Sequence, residues 1–340
     1  MIPFDYQRAT DVDGAVTLLR AHPDAAVLAG GTNLVDHLKL GIATPDLVID
    51  ISRLPLDSVE TTDDGSVRIE ANVRNSDLAA HPLIRRDYPA LARALLSGAS
   101  PQLRNLATTG GNLLQRTRCV YFQDLSTPCN KRVAGSGCSA IGGYTRYHAI
   151  LGASETCVAT HPSDMAVALC ALDAEVSVLG PAGERRIAVH ELHRLPADDA
   201  VHDTVLAPGE LIVAVTLPPV AAGAVATYRK VRDRASYAFA VVSVAAELTI
   251  DAGRIRDARI ALGGVAHKPW RAQRAEERLR GNPPTEENFT AAANAELAAA
   301  QPLVGNEFKV PLVRRTLCAV LRELAAPVSY THLRAHETRH

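Results

Sequence analysis

Ala26-Val27-Leu28-Ala29-Gly30-Gly31-Thr32-Asn33-Leu34-Val35-Asp36-His37-Leu38-Lys39-Leu40-Gly41 reads as a short buried strand, a glycine pair, two polar residues and a helix. Gly41 stops the helix, and Leu47-Val48-Ile49 is the next strand. Strand, glycine pair, helix is the arrangement that aims backbone N–H groups at a phosphate. A second such loop follows at Asn105-Leu106-Ala107-Thr108-Thr109-Gly110-Gly111-Asn112-Leu113. Either loop alone is most simply a tight turn. Two of them, each leading into an asparagine (Asn33, Asn112), point to a site for a dinucleotide pyrophosphate. Neither fits Gly-x-Gly-x-x-Gly, so the architecture is not the Rossmann one.

Outward from these loops, the first 55 residues read strand, helix, strand, loop, helix, strand. Thr10 is the expected N-cap of an amphipathic run whose buried face is Val12, Ala15, Val16 and Leu19. Further on, Val67 to Glu70 predicts a strand, Asn75 to Ala80 and Tyr88 to Leu96 helices, and Asp164 to Leu172 another helix. Strands are expected at Glu175 to Leu179, at Glu184 to Val189 and within 208–219, closed by Pro218-Pro219. The pattern changes after Ala221-Ala222-Gly223. A hairpin over Val241–Ile250 and Ile255–Leu262 turns at Asp251-Ala252-Gly253. Helices at Ala272–Arg280, Glu286–Ala300 and Val310–Leu324 follow.

The composition is that of a folded chain with a sizeable core: 340 residues, 47% hydrophobic, 21% charged. A net charge of −1 supplies no field for nucleic acid or an anionic membrane. No apolar run nears the ~20 residues that span a bilayer, and the N-terminus has no export signal of its own. The expected compartment is the cytoplasm, or the periplasm if a signal-bearing partner carries the chain out. Six cysteines are present, and four fall between residues 119 and 157 with the spacing C-x9-C-x8-C-x18-C. This is neither a zinc-ribbon knuckle nor a ferredoxin run. Cys119, Cys129, Cys138 and Cys157 are the candidate metal ligands; Cys170 and Cys318 lie on apolar helices and read as core. Arg116, Arg118, Lys131, Arg132 and Arg146 offer cations to an anionic four-thiolate centre, iron–sulfur or zinc. The segment 115–160 lacks a sustained period and reads as an irregular insert pinned by something other than a core.

The chain resembles the FAD-binding medium subunits of the xanthine dehydrogenase and molybdenum hydroxylase family. The resemblance rests on Ala29-Gly30-Gly31-Thr32-Asn33, on Thr108-Thr109-Gly110-Gly111-Asn112-Leu113, and on Thr160-His161-Pro162-Ser163-Asp164. Gln115-Arg116-Thr117-Arg118-Cys119 through Cys157-Val158-Ala159-Thr160 is similar to the insert of periplasmic aldehyde oxidoreductase and 4-hydroxybenzoyl-CoA reductase flavoprotein subunits, which holds a [4Fe–4S] cluster. The implied fold class is α+β: a vanillyl-alcohol-oxidase-type FAD domain of two α/β subdomains (1–55 and 56–222, with the insert at about 115–160), then a small α+β C-terminal domain (223–326). The implied FAD contacts are Leu28, Ala29, Gly30, Gly31, Thr32, Asn33, Leu34, Thr108, Thr109, Gly110, Gly111, Asn112, His161, Ser163 and Asp164. Looser matches add Ile212, against the flavin ring, and Lys230, at its N1–C2=O edge. His161 precedes Pro162 in a loop and is as well read as an anchor.

The resemblance implies an electron-transfer oxidoreductase subunit. Substrate oxidation would sit on a molybdopterin large subunit, with a [2Fe–2S] small subunit between; no hydroxylation or hydrolytic signature lies in this chain. An aldehyde is the expected substrate, with xanthine or an aromatic acyl-CoA as alternatives within the superfamily. A non-redox FAD module stapled by zinc is an alternative of another class. Residues 327–340, containing Ser-Tyr-Thr-His-Leu-Arg-Ala-His-Glu-Thr, read as translated sequencing adapter rather than native protein.

Overall fold

The computed structural model describes residues 1–326; the suspected adapter tail at 327–340 lies outside the described residues. Three open sheets organise the chain, each with its own buried cluster.

The first sheet is parallel, in the order Asp5–Arg8, Leu47–Asp50, Ala26–Leu28. Its central strand is buried along its whole length, as a strand covered on both faces must be. The helix Val12–Ala21 buries Ala15, Val16 and Leu19, the face the periodicity predicts. Its cap differs from expectation: Asp11, not Thr10, accepts the Gly14 amide at 2.7 Å, and Thr10 donates to Asp11. A carboxylate is the better acceptor at the positive end of a helix. The helix Leu34–Leu40 ends where Gly41 takes φ 73°, a left-handed conformation natural to glycine.

The second sheet is antiparallel, ordered Val59–Thr61, Val67–Glu70, Leu211–Leu217, Glu175–Gly180, Gly183–Ala188. The third, also antiparallel, runs Trp270–Arg271, Arg254–Gly263, Val242–Asp251, Ala224–Val231. Strand Val242–Asp251 is buried at eight successive positions. Its alternate side chains go to opposite faces. Val244, Ala246 and Leu248 join the cluster under the helices Gln273–Leu279, Glu286–Leu297 and Lys309–Ala325. Ala245 instead joins the core of the second sheet, with helices Pro89–Ser97 and Asp164–Ala171. The third sheet is thus a shared wall.

Between residues 115 and 160 the one helical turn is Val120–Gln123. The rest is turns and extended chain, tied to the C-terminal part of the molecule. The Ile150 and Leu151 amides donate to Val265 O at 2.9 and 3.0 Å, and Gln301 N donates to Ile150 O at 2.8 Å. Cys170 and Cys318 are buried in the second and third clusters, respectively.

Candidate functional site

The two glycine loops touch. A Cβ on Gly30 would lie 2.0 Å from Leu106 O, so only glycine lets the first loop seat against the second. Gly31 takes φ 73°, and Asn33 leads into the helix without capping it. The Asn33 side chain instead accepts the Arg116 amide at 3.0 Å, binding the first loop to the start of the cysteine segment.

The second loop spends most of its donors on the scaffold. The amides of Thr109 and Gly110 go to Val73 O and Ala71 O, and Thr108 Oγ1 takes the Gly111 amide at 3.2 Å. Thr108 and Thr109 are buried. Thr108, Thr109 and Gly110 build the loop in this structure, and Gly111 and Asn112 line the cleft. Asn112 Oδ1 accepts from Ser163 Oγ at 2.6 Å and from Gln115 Nε2 at 2.8 Å, leaving its amide nitrogen as the end free to donate outward.

Both loops open onto one cleft of about 620 Å³. Of the expected residues, Thr32, Asn33, Gly111, Asn112, His161, Ser163 and Asp164 line it. Leu28, Ala29, Gly30, Gly31 and Leu34 stand behind this lining, in the strand, turn and helix that position it. Ser163 caps helix Asp164–Ala171 through the Ala166 amide at 2.9 Å. His161 is an anchor: it stands 4.2 Å ring to ring from His193, and the Nε2 of each meets Leu113 O. Burial pushes both imidazoles below the usual histidine range, His161 well below it, so both stay neutral at neutral pH.

Two expected residues do not face the cleft. Ile212 is interior to the second sheet's core, opposite Val178. Lys230 is spent on a buried ion pair: its Nζ donates to Asp164 Oδ2 at 2.7 Å and Ser97 O at 3.1 Å. Tyr228, one turn of the pleat away, also donates to Asp164. The short sequence matches locate these strands but not the direction of their side chains.

The cleft has walls that no glycine motif announces. Arg118, Cys119, Tyr147 and His148 come from the cysteine segment, and Tyr237 and Phe239 from the loop before strand Val242–Asp251. The segment that reads as an insert thus forms part of the cleft. Four residues of its lining carry a buried polar atom without a hydrogen-bond partner: Asn75 Oδ1, Arg118 Nε, His148 Nδ1 and Ser243 Oγ. Unpaired polar groups in the lining of a large cleft, with Gly111 exposed on it, fit an extended polar ligand such as FAD.

Next to the cleft, Cys119, Cys129, Cys138 and Cys157 surround a single narrow void with Lys131. All four are free thiols. Burial raises the Cys119 thiol and pushes Cys157 up to about 12. The expected ring of cations reduces to one. Lys131 lines the void and donates to Asp203 and to Ala200 O. Arg116 pairs with Asp203 at 2.9 Å, Arg132 braces the carbonyls of Tyr121, Phe122 and Thr127, and Arg146 pairs with Asp233. The thiols are spread: among the described residues no three His, Cys, Asp or Glu side chains stand ready to share one ion. A single tetrahedral ion draws its sulfurs to within about 4 Å of one another. A donor set of four thiols, with no carboxylate in the lining, suits an iron–sulfur cluster in its chemistry. Cys119 lines both void and cleft, and His148 Nε2 lies 3.2 Å from its sulfur.

Comparison with known proteins accords with this geometry. Residues 2–220 match the FAD binding domain in molybdopterin dehydrogenase, and residues 226–324 the CO dehydrogenase flavoprotein C-terminal domain. The chain is 52% identical over 328 residues to the aldehyde oxidoreductase FAD-binding subunit PaoB of Escherichia coli, covering 96% of this chain and 99% of that one. It is 28% identical to the carbon monoxide dehydrogenase medium chain of Hydrogenophaga pseudoflava, covering 89% of each. A solved carbon monoxide dehydrogenase from that organism superposes with a TM-score of 0.75 at 27% identity, over 95% of this chain and 98% of the other. No helix among the described residues is long and apolar enough to cross a membrane. With both halves of the chain matched and its cleft built on the two glycine loops, the protein belongs to the family of FAD-binding subunits of molybdenum hydroxylase-type oxidoreductases.

Proposed function

We propose that this chain is the FAD- and [4Fe–4S]-binding electron-transfer subunit of a molybdenum-dependent aldehyde oxidoreductase. In this reading residues 1–222 hold the flavin, 223–326 support it, and a molybdopterin large subunit and a [2Fe–2S] small subunit complete the enzyme. The partner converts aldehyde and water to carboxylic acid, two protons and two electrons; the electrons pass to this chain and then to an external acceptor. Bound FAD supplies the step from one-electron to two-electron exchange, and a bound cluster one-electron exchange.

The observation that carries the reading is a shared wall. Cys119 belongs at once to the four-thiol void and to the glycine-loop cleft. The chain's residues do the holding: Gly111, Asn112, Thr32 and Asn33 face the dinucleotide, Ser163 orients Asn112, and Lys131 sets a buried positive charge beside the thiols. Likeness to PaoB favours an aldehyde over xanthine, whose E. coli counterpart is 26% identical.

The test is chemical analysis of anaerobically purified protein. One FAD and about four irons per chain are expected, the four following from the four-thiolate rule. Zinc in place of iron rejects the cluster, and absence of flavin rejects the FAD assignment.

A further inference from the structure

We infer that Arg118 is the cation that meets the pyrophosphate of the bound dinucleotide, so that the cysteine segment, and not the two glycine loops alone, completes the FAD site. The inference rests on the FAD reading above, and on no property of the cluster.

Arg118 lines the cleft together with Thr32 and Asn33 of the first loop and Gly111 and Asn112 of the second. Its guanidinium lies over the Phe239 ring at 5.0 Å, which fixes its plane and removes it from water. Its Nε is buried with no hydrogen-bond partner. Arg116, two residues earlier, shows the contrast: its Nε donates to Asp203 at 2.9 Å and its Nη2 to Val201 O at 3.1 Å. A cation taken out of water without a partner is costly, and a nearby anion relieves that cost.

Other cations around the cleft are committed. Arg104 donates to Gly98 O at 2.7 Å, and Arg234 to Tyr237 O at 2.9 Å. Burial depresses His161, and its Nε2 is committed to Leu113 O. The second loop adds few backbone donors, because Thr109, Gly110 and Gly111 spend their amides within the scaffold. A pyrophosphate bears two negative charges, and of the aspartates lining the cleft Asp164 and Asp233 are already paired with Lys230 and Arg146, whereas Asp36 has no ion pair among the described residues. Charge compensation is needed, and Arg118 is the lining arginine whose guanidinium makes no hydrogen bond or ion pair among the described residues, whereas Arg104 and Arg234 each spend part of theirs. Its planar fork suits a phosphate better than a lysine would.

The test compares FAD with riboflavin, which carries the ring but no phosphate. Flavin is stripped from wild type, R118M and R118K, and each protein is titrated with both ligands by fluorescence quenching. R118M should bind FAD roughly 10- to 100-fold more weakly, as on losing a charge-assisted hydrogen bond, and riboflavin as wild type does. R118K should fall between, and rising salt should weaken FAD binding more in wild type than in R118M. Equal losses for FAD and riboflavin would make Arg118 a packing element of the wall and overturn the inference, as would unchanged FAD affinity. If R118M does not fold, R118K decides by the same comparison of ligands. Wild type that binds no FAD at all defeats the FAD reading itself, a different failure.

Discussion

The two glycines visible in each loop have unlike duties, and single methyl groups tell them apart. At Gly30 a Cβ would stand 2.0 Å from Leu106 O and 2.8 Å from Leu106 C, both backbone atoms that cannot yield. Gly30→Ala should force the loops apart and lower the melting temperature by several degrees, a loss of the kind expected from a backbone clash. At Gly111 the nearest atom to a new Cβ is Thr108 Oγ1 at 3.0 Å, and the residue is exposed on the cleft. Gly111→Ala should therefore keep its melting temperature and lose flavin absorbance. Full flavin content in a folded Gly111→Ala protein is the result that contradicts this assignment. The sequence shows that both glycines matter, because a glycine pair before a helix is a local signal. It does not show which one holds the scaffold and which one faces the ligand, because Leu106 meets Gly30 across 76 positions of chain.

At the scale of elements, helix Asp164–Ala171 and strand Ala224–Val231 are joined by a buried ion pair that local pattern does not disclose. Lys230 and Asp164 side chains are 3% and 6% exposed, so the pair is shielded from salt and water. Breaking it by Lys230→Met leaves a buried carboxylate, which costs several kcal/mol in other proteins. Tyr228 and the helix N-terminus still serve Asp164 here, so a loss of roughly 3 kcal/mol is expected, the low end of that range. The double variant K230M/D164N should recover most of it, read as the denaturant midpoint. Equal instability in single and double variants would show that Lys230 matters by packing alone. The helices at 12–21, 34–40 and 89–97 are legible because one apolar face marks them, and the hairpin 242–263 because the Asp251-Ala252-Gly253 turn separates two apolar runs. Helix Asp164–Ala171 is legible as apolar but not as oriented, since all eight residues are buried. For Ile212 and Lys230 the strand is legible and the face is not: strand existence is local, whereas the face a side chain takes depends on pairing far along the chain.

For the molecule as a whole, the ties of the cysteine segment to the C-terminal part include two buried polar side chains, Asn306 and Lys309. Asn306 Nδ2 donates to His148 O and Ala149 O at 3.2 Å, and Lys309 Nζ donates to His148 O at 2.8 Å and to Gly264 O. Cleft, thiol void and C-terminal sheet therefore share one set of contacts, and the three parts should unfold together. Lys309 is fully buried and has only carbonyl oxygens as partners, and burial lowers it from 10.5 to about 7. The sign of the consequence is definite. Between these two values the unfolded chain binds a proton at this lysine that the folded chain has released, so stability from this group rises with pH across about 7 to 10.5, by at most about 1.4 kcal/mol per pH unit. Buried core thiols act the other way: Cys170, at about 12, stays protonated when the unfolded thiol ionises near 9, and stability falls. The difference between wild type and K309M cancels the thiols and isolates the lysine. Melting temperatures measured at several values from pH 6 to pH 10 should rise less, or fall more, in K309M than in wild type, with the largest divergence above pH 7. Parallel curves would mean that Lys309 keeps its proton in the folded chain, and that the two carbonyls compensate for its burial.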